Sequence, residues 1–302
     1  MTTLGLAFLL TIGLAPAAQE RAPRAPETDQ TVPVTRGTRL TVDNHAGEVV
    51  VRTWDKDALR VQARHASRTR VNVRTTPAGV RLSASSQTGP PGSIDYEITA
   101  PAWMPMKIEG QYIYVTVDGA QSEVVVETVR GDIVLKGGSG TISAKTIEGE
   151  ITVDGARGKI NLSSVNQGIK VTGAGGEITA ESTNGSISLT RIQASAVDVA
   201  TVNGDVSYEG TPADNGRYSF STHNGDITMT VPETANASFS VRTYNGEFNT
   251  SLSLKGPDKS ELRRGKRATY TLGTGSAEVE MESFGGAIRL RRAGAARTGR
   301  EK

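Results

Sequence analysis

One short phrase, a turn followed by Gly-x-Ile-x-Val, returns between Asp132 and Thr250 at intervals of 18 to 21 residues, and nothing else in the chain restricts its fold so tightly. Two interleaved series carry it. The first runs Ile133, Ile151, Ile169, Ile187, Val206, Ile227, Phe248, and the second Ile142, Ile160, Ile178, Val197, Tyr218, Phe239. Two positions after each comes a second apolar or small residue, such as Leu135, Val153 and Val171, or Ala144, Leu162 and Ala180, with polar residues between. That is period two, the signature of a strand buried on one face.

A unit this short with two such strands cannot bury its apolar face alone, so copies must stack. The expected fold is all-β, a parallel β-solenoid with about two strands per coil of 18–21 residues. A meander of antiparallel hairpins is the competing arrangement. The two series lengthen together, which favours coils that widen on both sides. Asn166, Asn184, Asn203, Asn224 and Asn245 precede the corner position, which is Gly185, Gly204, Gly225 and Gly246 in four coils and Gln167 in one. Asn and Gly tolerate left-handed backbone at sharp corners, and stacked Asn can hydrogen-bond along a ladder.

The remaining chain is read around this core. Leu4 to Ala15 is an apolar run ending in Ala15-Pro16-Ala17-Ala18, too short for a membrane span of about 20 residues, and it reads as a secretory signal peptide. The chain divides into signal peptide 1–18, Pro-rich linker 19–31, strand-rich cap with the first strands 32–103, solenoid repeats 104–290 with an inserted loop near 255–267, and a basic disordered tail 291–302. Counting in coil lengths places Val279 and Met281 two coils beyond Phe239 and Val241. No second apolar stretch suits a membrane crossing, so the expected location is periplasmic or at the cell surface. The absence of cysteine removes disulfides, a thiol nucleophile and thiolate metal sites. Net charge of +2 with interspersed signs argues against a nucleic-acid binder. The exception is the tail with Arg289, Arg291, Arg292, Arg297, Arg300 and Lys302, whose sharper reading is weak attachment to anionic lipid or polysaccharide.

Chemistry is sparse. Asp132, Glu150, Asp205, Asp226 and Glu247 occupy equivalent places after the corner, but Gly168 and Ser186 interrupt the row and no distinctive base accompanies it. His45, His65 and His223 lack metal-ligand spacing, and His223 stands where Val202 and Tyr244 stand in adjacent copies. Tyr208, Tyr218, Phe220, Phe239, Tyr244 and Phe248 fall mostly on the inward alternation, as filler for the wider coils. No residue is assigned a catalytic, cofactor-binding or metal-binding role, and no cofactor is expected.

With Val202-Asn203-Gly204-Asp205-Val206, His223-Asn224-Gly225-Asp226-Ile227 and Tyr244-Asn245-Gly246-Glu247-Phe248, the chain resembles the bacterial adhesin-type β-strand-repeat family, over about Thr38 to Leu290. The resemblance implies an exported β-solenoid and no established catalytic residues. The expected role is a non-enzymatic, adhesin-like or structural module of the cell envelope, binding an envelope glycan or surface protein. The alternatives are a polysaccharide lyase or hydrolase, and a periplasmic signalling partner.

Overall fold

The computed structural model describes residues 27–87, 89–257 and 265–294, and they form 23 strands and no helix. The segment expected to be a signal peptide, the expected linker before Glu27, the heart of the loop near 255–267 and the expected tail beyond Gly294 lie outside the described residues. Coils stack in parallel as two ladders. In the first, β9 (Ile133–Gly137), β11 (Ile151–Asp154), β13 (Ile169–Thr172), the start of β15 (Ile187–Asn203), β16 (Val206–Gly210) and β18 (Ile227–Val231) pair in sequence order. In the second, β8 (Val124–Glu127), β10 (Ser139–Thr146), β12 (Arg157–Ser164), β14 (Gly175–Ser182), the end of β15 and β17 (Arg217–Asn224) do the same.

The side-chain columns follow directly. Ile133, Ile151, Ile169 and Ile187 are register partners, as are Ile142, Ile160 and Ile178, and all are at most 2% exposed. Parallel pairing excludes the meander, whose neighbours would run antiparallel. Each aliphatic residue is sealed above and below by its counterpart, about 4.8 Å away. The widening coils exchange aliphatic for aromatic filler: Tyr208, Tyr218, Phe220 and Phe239 are buried, with Tyr208 packed edge-on against Tyr218 at 6.0 Å and tilted against Phe220 at 5.3 Å.

Widening is confined to one side of the coil. From a second-series residue to the next first-series residue the chain always takes nine positions, through the Asn-Gly corner, whereas the return arc grows from 9 to 12. The extra residues emerge as register shifts at Gly176/Glu177 and between Leu189 and Ile192, with Arg191 left-handed, and as the turn around left-handed Asn215. A coil can therefore widen without disturbing its Asn-Gly corner, contrary to the two-sided expectation.

Both ends depart from sequence order. Near the start, β2 (Arg39–Trp54) lies between a later coil, β5 (Gly79–Ser86) with β6 (Asp95–Pro101), and β7 (Met106–Ala120), so regular stacking begins at about residue 39 rather than 104. At the other end β22 (Ala277–Ser283) and β23 (Ile288–Arg292) slide between the coil of β17 and β18 and the coil of β19 (Ala237–Thr243) and β20 (Phe248–Thr250). Val279 consequently touches both Tyr218 and Phe239 in register, instead of following two coils beyond Phe239. Counting along the chain cannot detect this, because it assumes that neighbours in sequence are neighbours in space.

Antiparallel strands close both ends: β1 (Thr28–Pro33) on β3 (Ala58–Arg64), itself on β6; β4 (Thr69–Thr76) on β5; and β21 (Arg267–Leu272) on β19. They shield parallel edges that would otherwise pair with other chains. Residues 28–31, expected in the linker, thus belong to β1, where Asp29 pairs with Arg60 at 2.7 Å. Arg291 and Arg292, expected in the tail, belong to β23 because their backbone continues the ladder on Thr230 and Val231.

Candidate binding surface

Four columns run up the Asn-Gly corner. The first is hydroxyl. Ser164, Ser182, Thr201 and Thr222 are buried and donate to the corner carbonyls of Gly149, Gln167, Gly185 and Gly204 in the preceding coil, at 2.9–3.1 Å. These carbonyls point into the coil where water does not reach, so the hydroxyls satisfy acceptors that would otherwise be buried unpaired. The sequence contains the signal, a Ser or Thr three residues before each corner position, which the two apolar series do not bring out.

The second column is glycine, for a reason other than the expected one. Gly149, Gly185, Gly204 and Gly225 are not left-handed; a Cβ on any of them would meet the backbone of the corner one coil below at 2.0–2.4 Å. Close stacking, not turn chirality, requires glycine there. Left-handed glycines sit on the opposite arc, at Gly137, Gly155 and Gly173, and at the corner in earlier coils, at Gly47 and Gly131. At Gln167 the tight approach moves one residue on, to Gly168, whose added Cβ would lie 2.7 Å from the Ser186 carbonyl oxygen.

The third column is the expected amide ladder: Asn184 donates to Asn166 (3.1 Å), Asn203 to Asn184 (2.9 Å) and Asn224 to Asn203 (2.8 Å). The fourth is the carboxylate row. Asp132 accepts the backbone N–H of Glu150 (2.8 Å), Asp205 that of Asp226 (2.8 Å), and Asp226 that of Ala287 (2.7 Å); Ser186 fills the gap by accepting from Asp205 N–H (3.1 Å). Glu150 also pairs with Lys170 at 2.8 Å. Asp226 is ion-paired with Arg289, whose hydrogen bond holds the carboxyl below its ordinary value of 3.8 despite partial burial, with the Ala287 amide adding to the effect. Asp132, Asp205 and Asp226 thus cap amides of the next coil in the stack. Glu247 is separated from Asp226 by the inserted Ala287 coil, so the row does not run unbroken.

The histidines stay apart. His45 meets Tyr112 edge-on at 5.9 Å, and His65 shares a hydrogen bond with Thr28 Oγ1 at 2.9 Å. His223 stacks on Phe284 at 4.6 Å, and Phe284 in turn lies 5.2 Å from Tyr244, so this corner-packing histidine belongs to an aromatic pile. Among the described residues no group of three or more His, Asp or Glu could hold a metal ion, and no helix is long and apolar enough to cross a membrane.

A concavity lies away from the corner. It is an open groove of about 580 Å³ across the outer face of the second ladder near its C-terminal end, from β14 to β21. Outward alternation puts Thr179, Asp198, Ser219, Glu280, Ser240 and Thr269 in one row across it. Arg217 and Glu278 stand side by side in the next row, and Arg267 is ion-paired with Glu280. Hydroxyls interleaved with charges of both signs, on a rigid sheet, form a surface suited to a polyhydroxylated or polar ligand. The row was visible in part as outward Ser219 and Ser240; Glu280 joined it only through the out-of-order insertion of β22.

Among curated proteins none matches the chain. Two solved structures resemble it loosely. One, of a putative cell adhesion protein from Clostridium sporogenes ATCC 15579, is 12% identical over 88% of this chain and 99% of that one, with a TM-score of 0.28. The other, of a putative adhesin from Parabacteroides distasonis ATCC 8503, is 8% identical over 88% and 96%, with a TM-score of 0.33. The family model described as Toastrack DUF4097 matches residues 37–291, the whole stack with both of its interleaved ends, and the chain belongs to that family.

Proposed function

We propose that the protein is an exported, non-catalytic binding module of the bacterial cell envelope, adhesin-like in role, that engages an envelope glycan or surface protein through the grooved outer face of its second ladder. The observation that carries this reading is the groove itself, a rigid row of hydroxyls and charges built from six adjacent strands. In the carboxylate row, the natural place for acid–base chemistry, Asp132, Asp205 and Asp226 are already occupied in capping backbone amides and Glu150 in its pair with Lys170. Export rests on the apolar run Leu4 to Ala15 with its small-residue cleavage context. Binding across an envelope-glycan array and a pull-down from envelope extract tests the proposal, with R217A and D198A expected to weaken capture while the fold is retained. Failure to bind in both formats, or release of products from an acidic polysaccharide, would contradict it.

A further inference from the structure

The coil that bears the fuller repeat phrase is not the one seated where that phrase belongs. Tyr244-Asn245-Gly246-Glu247-Phe248 follows His223-Asn224-Gly225-Asp226-Ile227 by 21 residues, the interval that separates the latter from the coil before it. Yet the seat on β17 and β18 holds Phe284-Gly285-Gly286-Ala287-Ile288, which lacks both the Asn and the acid. The amide ladder therefore stops at Asn224, and Ala287 has no carboxylate with which to cap Glu247 N–H.

The inserted coil is held by a chain crossing that the middle of the stack does not have and by two ion pairs, one of which stands in the register of Lys170 with Glu150. The chain passes around the start of β19, with β21 on one edge of that strand and β22 on the other. Asn236 anchors the crossing: its Oδ1 accepts Thr274 N–H (3.1 Å) and its carbonyl accepts Ala277 N–H (3.0 Å). Arg289 pairs with Asp226, and Arg292 with Glu233 at 3.1 Å.

We propose that these contacts form a releasable clasp, and that the stack has a second order in which 277–292 withdraws and 237–250 seats directly on 217–231. In that order Phe239 covers Tyr218, Phe248 covers Ile227, Asn245 extends the amide ladder, and Asp226 caps Glu247 N–H as Asp205 caps Asp226 N–H. The amide ladder and the carboxylate row, the two devices that the inserted coil interrupts, then run on by one coil, while the hydroxyl and glycine columns, which Ser283 and Gly286 already continue, are kept. Because β22 forms part of the groove floor, its withdrawal would change the binding face itself.

The cysteine-free chain makes the test direct. Adjacent strands lie about 4.8 Å apart, within disulfide reach, whereas second neighbours at about twice that do not. In the observed order S219C/E280C links and S219C/S240C does not, because Glu280 lies between the two serines. Adding N236A and R289A should raise S219C/S240C linking about tenfold, a shift of about 1.4 kcal/mol, and deplete S219C/E280C. The S143C/N161C pair in mid-stack reports that the fold persists. No gain in S219C/S240C linking while S143C/N161C still links would overturn the proposal. Should the loosened variant lose mid-stack linking as well, amide exchange in the unaltered chain decides. Residues 277–292 exchanging about tenfold faster than 187–209 supports a separate opening; equal protection overturns it.

Discussion

The two arcs of each coil obey different rules. The Asn-Gly arc keeps nine residues in every coil while the return arc absorbs up to three more. The fixed arc carries a buried hydroxyl, a glycine under a carbonyl, an amide ladder and an amide-capping acid, each reaching the coil below. One added residue would misalign all four. The return arc carries left-handed turns and side-chain ties that change from coil to coil: Ser139 Oγ donates to Gln121 O (2.9 Å), Ser195 Oγ to Gly176 O (3.3 Å), and Tyr218 Oη to Ala194 O (2.6 Å) while accepting from Ala213 N–H (2.8 Å). Length is constant where the same bond recurs in register from coil to coil, and free where each coil makes ties of its own.

The sharpest way to break this comparison is at the glycines. Gly185→Ala drives a methyl group into the Gln167 carbonyl and should cost on the order of 4 kcal/mol. Gly155→Ala on the return arc meets open space and has only its left-handed backbone to overcome, about 1 kcal/mol. Urea unfolding of the two variants separates them, and equal losses would remove steric stacking as the cause. Next in size, Thr201→Val leaves the Gly185 carbonyl buried without its donor, for about 1–3 kcal/mol. A one-residue glycine insertion beside Asp214 in the return arc should cost less than about 1 kcal/mol.

Smaller effects refine the contrast between the middle of the stack and its end. Asn203→Ala removes two ladder bonds and should lower stability by about 0.5–1.5 kcal/mol, whereas Asn245→Ala, beyond the point where the ladder stops, should be nearly neutral. Asp226 titrates lower folded than unfolded, so its contribution is present above pH 3.8 and lost as pH falls below that value. Arg289→Ala should abolish that acid-side loss. The pair is about a third exposed, so the effect stays below about 1 kcal/mol. At the alkaline end Tyr96, buried with no partner for its hydroxyl, is pushed up to about 12 by burial. The unfolded chain releases that proton near pH 10 and the folded chain does not, so stability falls as pH rises from about 10 to 12. Tyr96→Phe should lessen that fall, as read by thermal unfolding across the range, with Tyr208 and Tyr218, also raised by burial, carrying the remainder.

The middle of the stack was legible because each coil repeats its neighbour: Ile151, Ile169 and Ile187 share one environment, and a period exposes it. The ends were not, because β2 and β22 are placed by strand edges that become available only in three dimensions. The corner glycines were located correctly but for the wrong physical reason, since the carbonyl that excludes a side chain at Gly204 belongs to Gly185, in another coil. Of the candidate surface, Ser219 and Ser240 could be read as outward. That Glu280 lies between them could not, and neither could the pile of His223, Phe284 and Tyr244, assembled from three coils by the same insertion.

Everything rests on aliphatic residues of successive coils lying one above another. Methyl–methyl nuclear Overhauser contacts in a chain with labelled isoleucine methyl groups test this directly. The account predicts cross-peaks linking Ile133 to Ile151, Ile151 to Ile169 and Ile169 to Ile187, with none between Ile133 and Ile187. A folded protein in which Ile151 and Ile169 share no cross-peak would contradict it.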